Sequence, residues 1–126
     1  MMKEIGKLDW AFSAGRIPFQ STGKEPEFIS HDKIAVLNVS EEEALIEMVI
    51  FYENVKPVGT YSVKVQPKRV KKIRFNDLID PEAMKLERNY SCYIKSNVKV
   101  VVQFSRMNTG SNYNAEMGSM AFPVET

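Results

Sequence analysis

Residues 43–66, EALIEMVIFYENVKPVGTYSVKVQ, decide the fold. Ala44, Ile46, Met48, Ile50 and Tyr52 recur along one side of this run, and a period of two residues is that of a strand. Leu45, Val49 and Phe51 make the other side apolar as well, the pattern of a strand covered on both faces, as in a sandwich whose outer face packs on a loop or a second subunit. Pro57-Val58-Gly59 is turn chemistry. Beyond it Tyr61, Val63 and Val65 alternate with Ser62, Lys64 and Gln66 as a half-exposed strand.

Working outward, Pro67 lacks the N–H a ladder needs and ends that strand, so a further strand is expected from Val70 to Phe75 with Ile73 and Phe75 facing inward. Asp80-Pro81-Glu82 combines a capping side chain, a proline suited to a first helical position and an acid in the first turn, which predicts one short helix. Tyr90, Cys92 and Ile94 share a face, Ser96-Asn97 reads as a turn, and Val98, Val100, Val102 and Phe104 share the next face, a predicted hairpin. Leu8 to Ala14, Lys33 to Val39 and Met117 to Phe122 bring the count to about eight short strands. The expectation is one all-β domain over residues 1–126, an antiparallel, jelly-roll-like β-sandwich with at most one short helix. The polar stretch from Asn108 to Asn114 reads as an exposed connection between the last two strands.

Composition narrows the class without naming a chemistry. The 126 residues are 44% hydrophobic and 26% charged, ordinary values for a soluble globular domain, which excludes disorder and fibrous repeats. Seventeen Lys plus Arg against sixteen Asp plus Glu give a formal net charge of +1, too balanced for a surface built throughout to neutralise phosphates. The single cysteine, Cys92, excludes an intramolecular disulfide and fits a reducing, cytoplasmic location. No window approaches the ~18 apolar residues of a membrane span, so no membrane insertion is expected.

Three groups of residues could carry function. Pro26 biases Glu25 toward an extended conformation, and continued extension points Glu25, Glu27 and His31 the same way. Their spacing matches no specific metal motif, so no metal and no cofactor is assigned. Arg74, Asn76 and Asp77 set a guanidinium, an amide and a carboxylate at a strand end, a trio suited to a small polar ligand or equally to a local turn with an ion pair. Trp10 is the aromatic candidate for a sugar-like ring, with packing in the core as its other reading. The predicted ligand patch is therefore Trp10, Glu27, His31, Arg74, Asn76 and Asp77. Lys64, Lys68, Arg69, Lys71, Lys72 and Arg74 form the one local basic stretch, an edge that resists strand aggregation or a footprint for nucleic acid. Catalysis has little support, because the chain has no nucleophile elbow, no phosphate-binding glycine loop and no cysteine paired with a nearby histidine, and a metal-dependent enzyme survives as a reading only through Glu25, Glu27 and His31.

Taken in order, Trp10, Gly15-Arg16-Ile17-Pro18, Glu25-Pro26-Glu27-Phe28-Ile29-Ser30-His31, Leu37-Asn38, Pro57-Val58-Gly59, Arg74-Phe75-Asn76-Asp77-Leu78, Asp80-Pro81, Ser96-Asn97-Val98 and Val101-Val102-Gln103 resemble the sensory rhodopsin transducer family. The match runs from Trp10 to Arg106 and continues more weakly through Ser119 and Ala121. The resemblance implies a small soluble β-sandwich that assembles as a homotetramer and couples to a membrane receptor. It also implies relatives that bind carbohydrate or other small molecules. The basic stretch from Lys68 to Lys72 and the Asn-rich loop after Asn108 are not parts of that pattern. The functional expectation is a non-enzymatic cytoplasmic binding or signalling module for a small polar, sugar-like ligand or a protein partner. The alternative is a DNA-binding transcriptional regulator using Lys64 to Arg74.

Overall fold

The computed structural model of the chain describes residues 5–17, 31–108, 115–120 and 122–124. Among them are eight antiparallel strand segments: β1 (Lys7–Gly15), β2 (His31–Asn38), β3 (Ala44–Tyr52), β4 (Val58–Val65), β5 (Arg69–Arg74), β6 (Tyr90–Asn108), β7 (Ala115–Met120) and β8 (Phe122–Pro123). They form one curled sheet in two halves. The first half runs β4–β3–β6–β1–β8, and the second runs β5–β2–β6–β7. The all-β expectation holds. Ala44, Ile46, Met48 and Ile50 are fully buried, as their alternation requires, and so are Tyr61 and Val65 opposite them on β4. Ile73 and Phe75 face inward as expected.

The two halves close on each other through aromatic side chains. Phe12 from β1 stacks on Phe104 from the far end of β6 with ring centroids 4.2 Å apart, and meets Phe75 edge-on at 5.5 Å. Each such ring buried from water contributes roughly 1.5–3 kcal/mol, so this contact is one of the main forces holding the halves together.

Two expectations are corrected. Ser96-Asn97 is not a turn, because β6 runs through it as one 19-residue strand. Ser96 still pairs with Ile46 in the first half, whereas Val101 already pairs with Leu37 in the second. The polar pair therefore marks the place where the strand changes halves. Asn97 substitutes for backbone there: its Oδ1 accepts from the Leu45 N–H at 2.6 Å and its Nδ2 donates to the Glu43 carbonyl at 3.3 Å. The second correction concerns the Asp80-Pro81 segment, which forms no helix. The backbone groups a helix would use internally go to tyrosines instead: Tyr61 Oη donates to the Glu82 carbonyl, and the Lys85 N–H donates to Tyr52 Oη at 3.1 Å. Met84, buried beneath them, anchors the segment to the core. The one helical turn among the described residues is the 3-10 turn Phe75–Asp77, directly after β5. The predicted connection at 108–114 lies outside the described residues apart from Asn108.

Candidate functional site

The polar centre of the domain is Asp32, whose side chain has no solvent exposure. Burying a carboxylate is tolerable only when it is paired and hydrogen-bonded, and Asp32 has three donors. Tyr90 Oη donates to Oδ2 at 2.7 Å, the Arg16 backbone N–H donates to Oδ2 at 2.9 Å, and Arg106 Nε donates to Oδ1 at 2.9 Å. Burial first, then the adjacent Asp32 charge, pushes the Tyr90 hydroxyl far above its ordinary range, so it stays protonated and remains a donor. Gly15 makes the approach possible: a Cβ there would lie 2.2 Å from the Tyr90 ring, where no side chain fits. Asp32 thus fixes the end of β1 and the position from which the Arg16 side chain departs.

That side chain crosses a surface cleft of about 270 Å³ lined by Arg16, Tyr52, Glu53, Asn54, Val55, Lys85, Glu87, Arg88 and Asn89. Arg16 Nη2 pairs with Glu87 Oε2 at 2.9 Å and Nη1 donates to Asn89 Oδ1 at 3.2 Å. Asn89 Nδ2 in turn donates to Glu53 Oε1 at 2.8 Å. The Glu87 backbone sits in the left-handed region and its N–H donates to the Ile17 carbonyl at 2.8 Å, which ties the far wall to the chain leaving β1. Lys85 Nζ lies 5.8 Å from the centre of the Tyr52 ring. The cleft therefore alternates donors and acceptors beside an aromatic ring. A simple anion would meet Glu53 and Glu87, and a simple cation would meet Arg16, Lys85 and Arg88. A neutral hydroxylated molecule, whose every hydroxyl both donates and accepts, satisfies both kinds of group.

The sequence-predicted residues fall differently. Trp10 is 4% exposed and its indole N–H donates to the Lys7 and Val100 carbonyls at 3.1 and 3.0 Å, so it is packed in the core and offers no open ring face. Arg74 ends β5, Asn76 and Asp77 lie in the 3-10 turn that follows, and Asp77 is exposed. The buried Arg74 Nε has no hydrogen-bond partner among the described residues. The backbone of His31 starts β2 opposite Met107, and the Lys33–Arg74 register brings the start of β2 to the end of β5. Glu25 and Glu27 lie outside the described residues. Sequence reasoning missed Arg16, Glu53 and Asn89 as cleft residues, and Asp32 as their support. The available signal was Gly15-Arg16-Ile17-Pro18, which contributed to the family resemblance and was assigned no role. Cys92 is buried and its thiol is pushed well up by that burial, as expected of an inert packing residue. Among the described residues no group of three or more His, Cys, Asp or Glu side chains could hold a metal ion.

The described residues thus form an all-antiparallel β domain that carries a mixed-charge cleft at the end of β1. The chain matches the family model of the Anabaena sensory rhodopsin transducer over residues 5–123, and it belongs to that transducer family. Among solved structures, it is similar to the Anabaena sensory rhodopsin transducer at 38% identity and a TM-score of 0.74, covering 82% of this chain and 97% of that one. It is also similar to the crystal structure of Thermotoga maritima 1070, at 31% identity and a TM-score of 0.79, covering 95% of this chain and 97% of that one. A comparison with curated proteins found no match. No helix among the described residues is long and apolar enough to cross a membrane.

Proposed function

We propose that this chain is a non-enzymatic cytoplasmic binding and signalling module of the transducer family that takes a small neutral hydroxylated ligand, such as a sugar, in the cleft around Arg16. The observation that carries the reading is the hydrogen-bonded chain Glu53–Asn89–Arg16–Glu87 beside Tyr52. At about 270 Å³ the cleft is close to the lower end of the ~300–1,000 Å³ usual for ligand pockets, which suits a single ring. Calorimetric titration and NMR shift mapping with a panel of monosaccharides and polyols test it. Arg16→Ala and Asn89→Ala should abolish binding while moving stability little, since exposed ion pairs are worth about 0–1 kcal/mol. Shift changes that map away from the cleft, or no saturable binding across the panel, would overturn the reading. Arg74, Asn76 and Asp77 make a second candidate surface, favoured by the Arg74 Nε, which has no hydrogen-bond partner among the described residues; Glu27 and His31 belong to it by sequence expectation alone.

The same reading includes self-assembly and a receptor partner. Leu45 and Phe51 are exposed on the outer face of the first half, and Val49 and Ala11 flank Tyr93 between them. A shallow apolar groove of about 250 Å³ lies along this face. These features support a homo-oligomer, a tetramer by family, built through this face.

A further inference from the structure

The second half of the sheet ends in a strand that, among the described residues, is open on one side. Among the described residues β5 (RVKKIR, Arg69–Arg74) pairs only with β2. In an antiparallel ladder every second residue points its N–H and C=O away from its partner, so β5 presents a row of main-chain donors and acceptors. The hydrogen bonds its residues make beyond β2 are side-chain ones: Arg69 Nη1 to the Lys68 carbonyl at 3.0 Å, and Lys71 Nζ to the Lys64 carbonyl at 3.5 Å. Arg69, Val70, Lys71 and Lys72 are all exposed.

The charge on this edge is unbalanced. Lys68 pairs with Glu41 at 2.9 Å, but no carboxylate of the described residues lies within 4.0 Å of Lys64, Arg69, Lys71 or Lys72. Blunting the edge against aggregation needs only a lysine or two, and Lys71, reaching across to β4, already does that. Val70, 59% exposed, projects from the face opposite to Lys71 and stands in register with Leu37, another exposed apolar residue.

We infer that β5 is a docking edge for an extended acidic segment of a protein partner, which adds as a further strand. The open main chain supplies register and affinity, and alternate side chains supply specificity. An acid on one face of the added strand meets Arg69 and Lys71, and an apolar residue on the other meets Val70. The β5 strand of a second copy does not fit the place, because edge-to-edge pairing of two β5 strands sets cation against cation. Nucleic acid and anionic lipid would use the charge and leave the open main chain unused. The inference is independent of the cleft, which lies among other residues.

Fluorescence anisotropy tests it with a labelled eight-residue peptide that alternates Glu and Val. The same peptide N-methylated at every second residue keeps its charge and cannot pair. The expected result is saturable binding that N-methylation weakens by about tenfold or more, the worth of one or two main-chain hydrogen bonds. Bound peptide should also slow amide exchange in β5. Lys71→Glu with Lys72→Glu, both at exposed positions, should lose the Glu peptide and take up its Lys counterpart, with an unchanged melting curve reporting that the fold is intact. Equal binding of the methylated peptide, displacement by a short DNA duplex at lower concentration than by unlabelled peptide, or no binding at about 1 mM peptide would each overturn the proposal.

Discussion

Replacing Asp32 by asparagine keeps the size of the side chain and removes its charge from a site with no solvent exposure. One oxygen remains to accept from Arg106, while the new amide faces the two groups that donated to Oδ2, the Tyr90 hydroxyl and the Arg16 N–H. The hydroxyl can rotate and accept. The backbone N–H cannot, and a buried unsatisfied donor costs about 1–3 kcal/mol. Arg106 also loses its ion pair with Asp32. Removing one partner of a buried ion pair costs about 3–5 kcal/mol, but the Arg106 side chain is 30% exposed and stays partly hydrated, which discounts that contribution heavily. Together these give a loss of about 3 kcal/mol, or a fall of roughly 10 °C in melting temperature for a chain of this length. Urea unfolding followed by circular dichroism measures it, with an unchanged slope against denaturant reporting an unchanged unfolding reaction. The loss should shrink in an Arg106→Met background, since the two residues share one interaction. A loss below about 0.5 kcal/mol would refute the assignment of Asp32 as the carboxylate that holds the end of β1.

Gly15→Ala should lower stability by about 1–3 kcal/mol in a thermal melt, because the added methyl group displaces the Tyr90 ring and with it the hydroxyl on Asp32; an unchanged melt would show that the ring shifts freely. Tyr90 and Cys92 both have raised folded-state pKa values, so the unfolded chain loses their protons first as pH rises. Stability is therefore full below about pH 8.5 and falls above it, by up to about 1.4 kcal/mol per pH unit for each group once its unfolded form has ionised. Tyr90→Phe should flatten the part of that decline above about pH 10, and an equally steep decline in the variant would refute the linkage. Val49→Asp places a charge between Tyr93 and the β3 apolar row, and light scattering should then give a smaller mass than the wild type at equal concentration. A wild-type mass equal to the monomer would remove assembly from the functional reading.

Strand positions were legible wherever burial alternates, because a two-residue period survives any change in the surroundings. Ser96-Asn97 was misread for a physical reason: both residues favour turns by hydrogen-bonding nearby backbone, and Asn97 does bond backbone here, but across the sheet at the start of β3 rather than within its own strand. The Asp80-Pro81 helix signal was local, and two tyrosines 21 and 33 residues away outcompeted it. The cleft was illegible because Arg16, Glu53 and Asn89 share no spacing. They meet only after β1 and β3 have paired on either side of β6. Asp32 stands beside the one histidine, whose chemistry drew attention that the carboxylate required. Trp10 carried two readings in the sequence, ligand platform and core, and its burial matches the second.

Because β6 carries the pairing of β1, β2, β3 and β7, synthesis order acquires a meaning. A chain leaving the ribosome can zip β3 to β4 and β2 to β5, yet both ribbons lack a common wall until residues 90–108 emerge. β1, made first, waits longest, since its partners are β6 and β8. Until that single strand is laid between them, the nascent segment is a set of separate ribbons with apolar faces open to solvent.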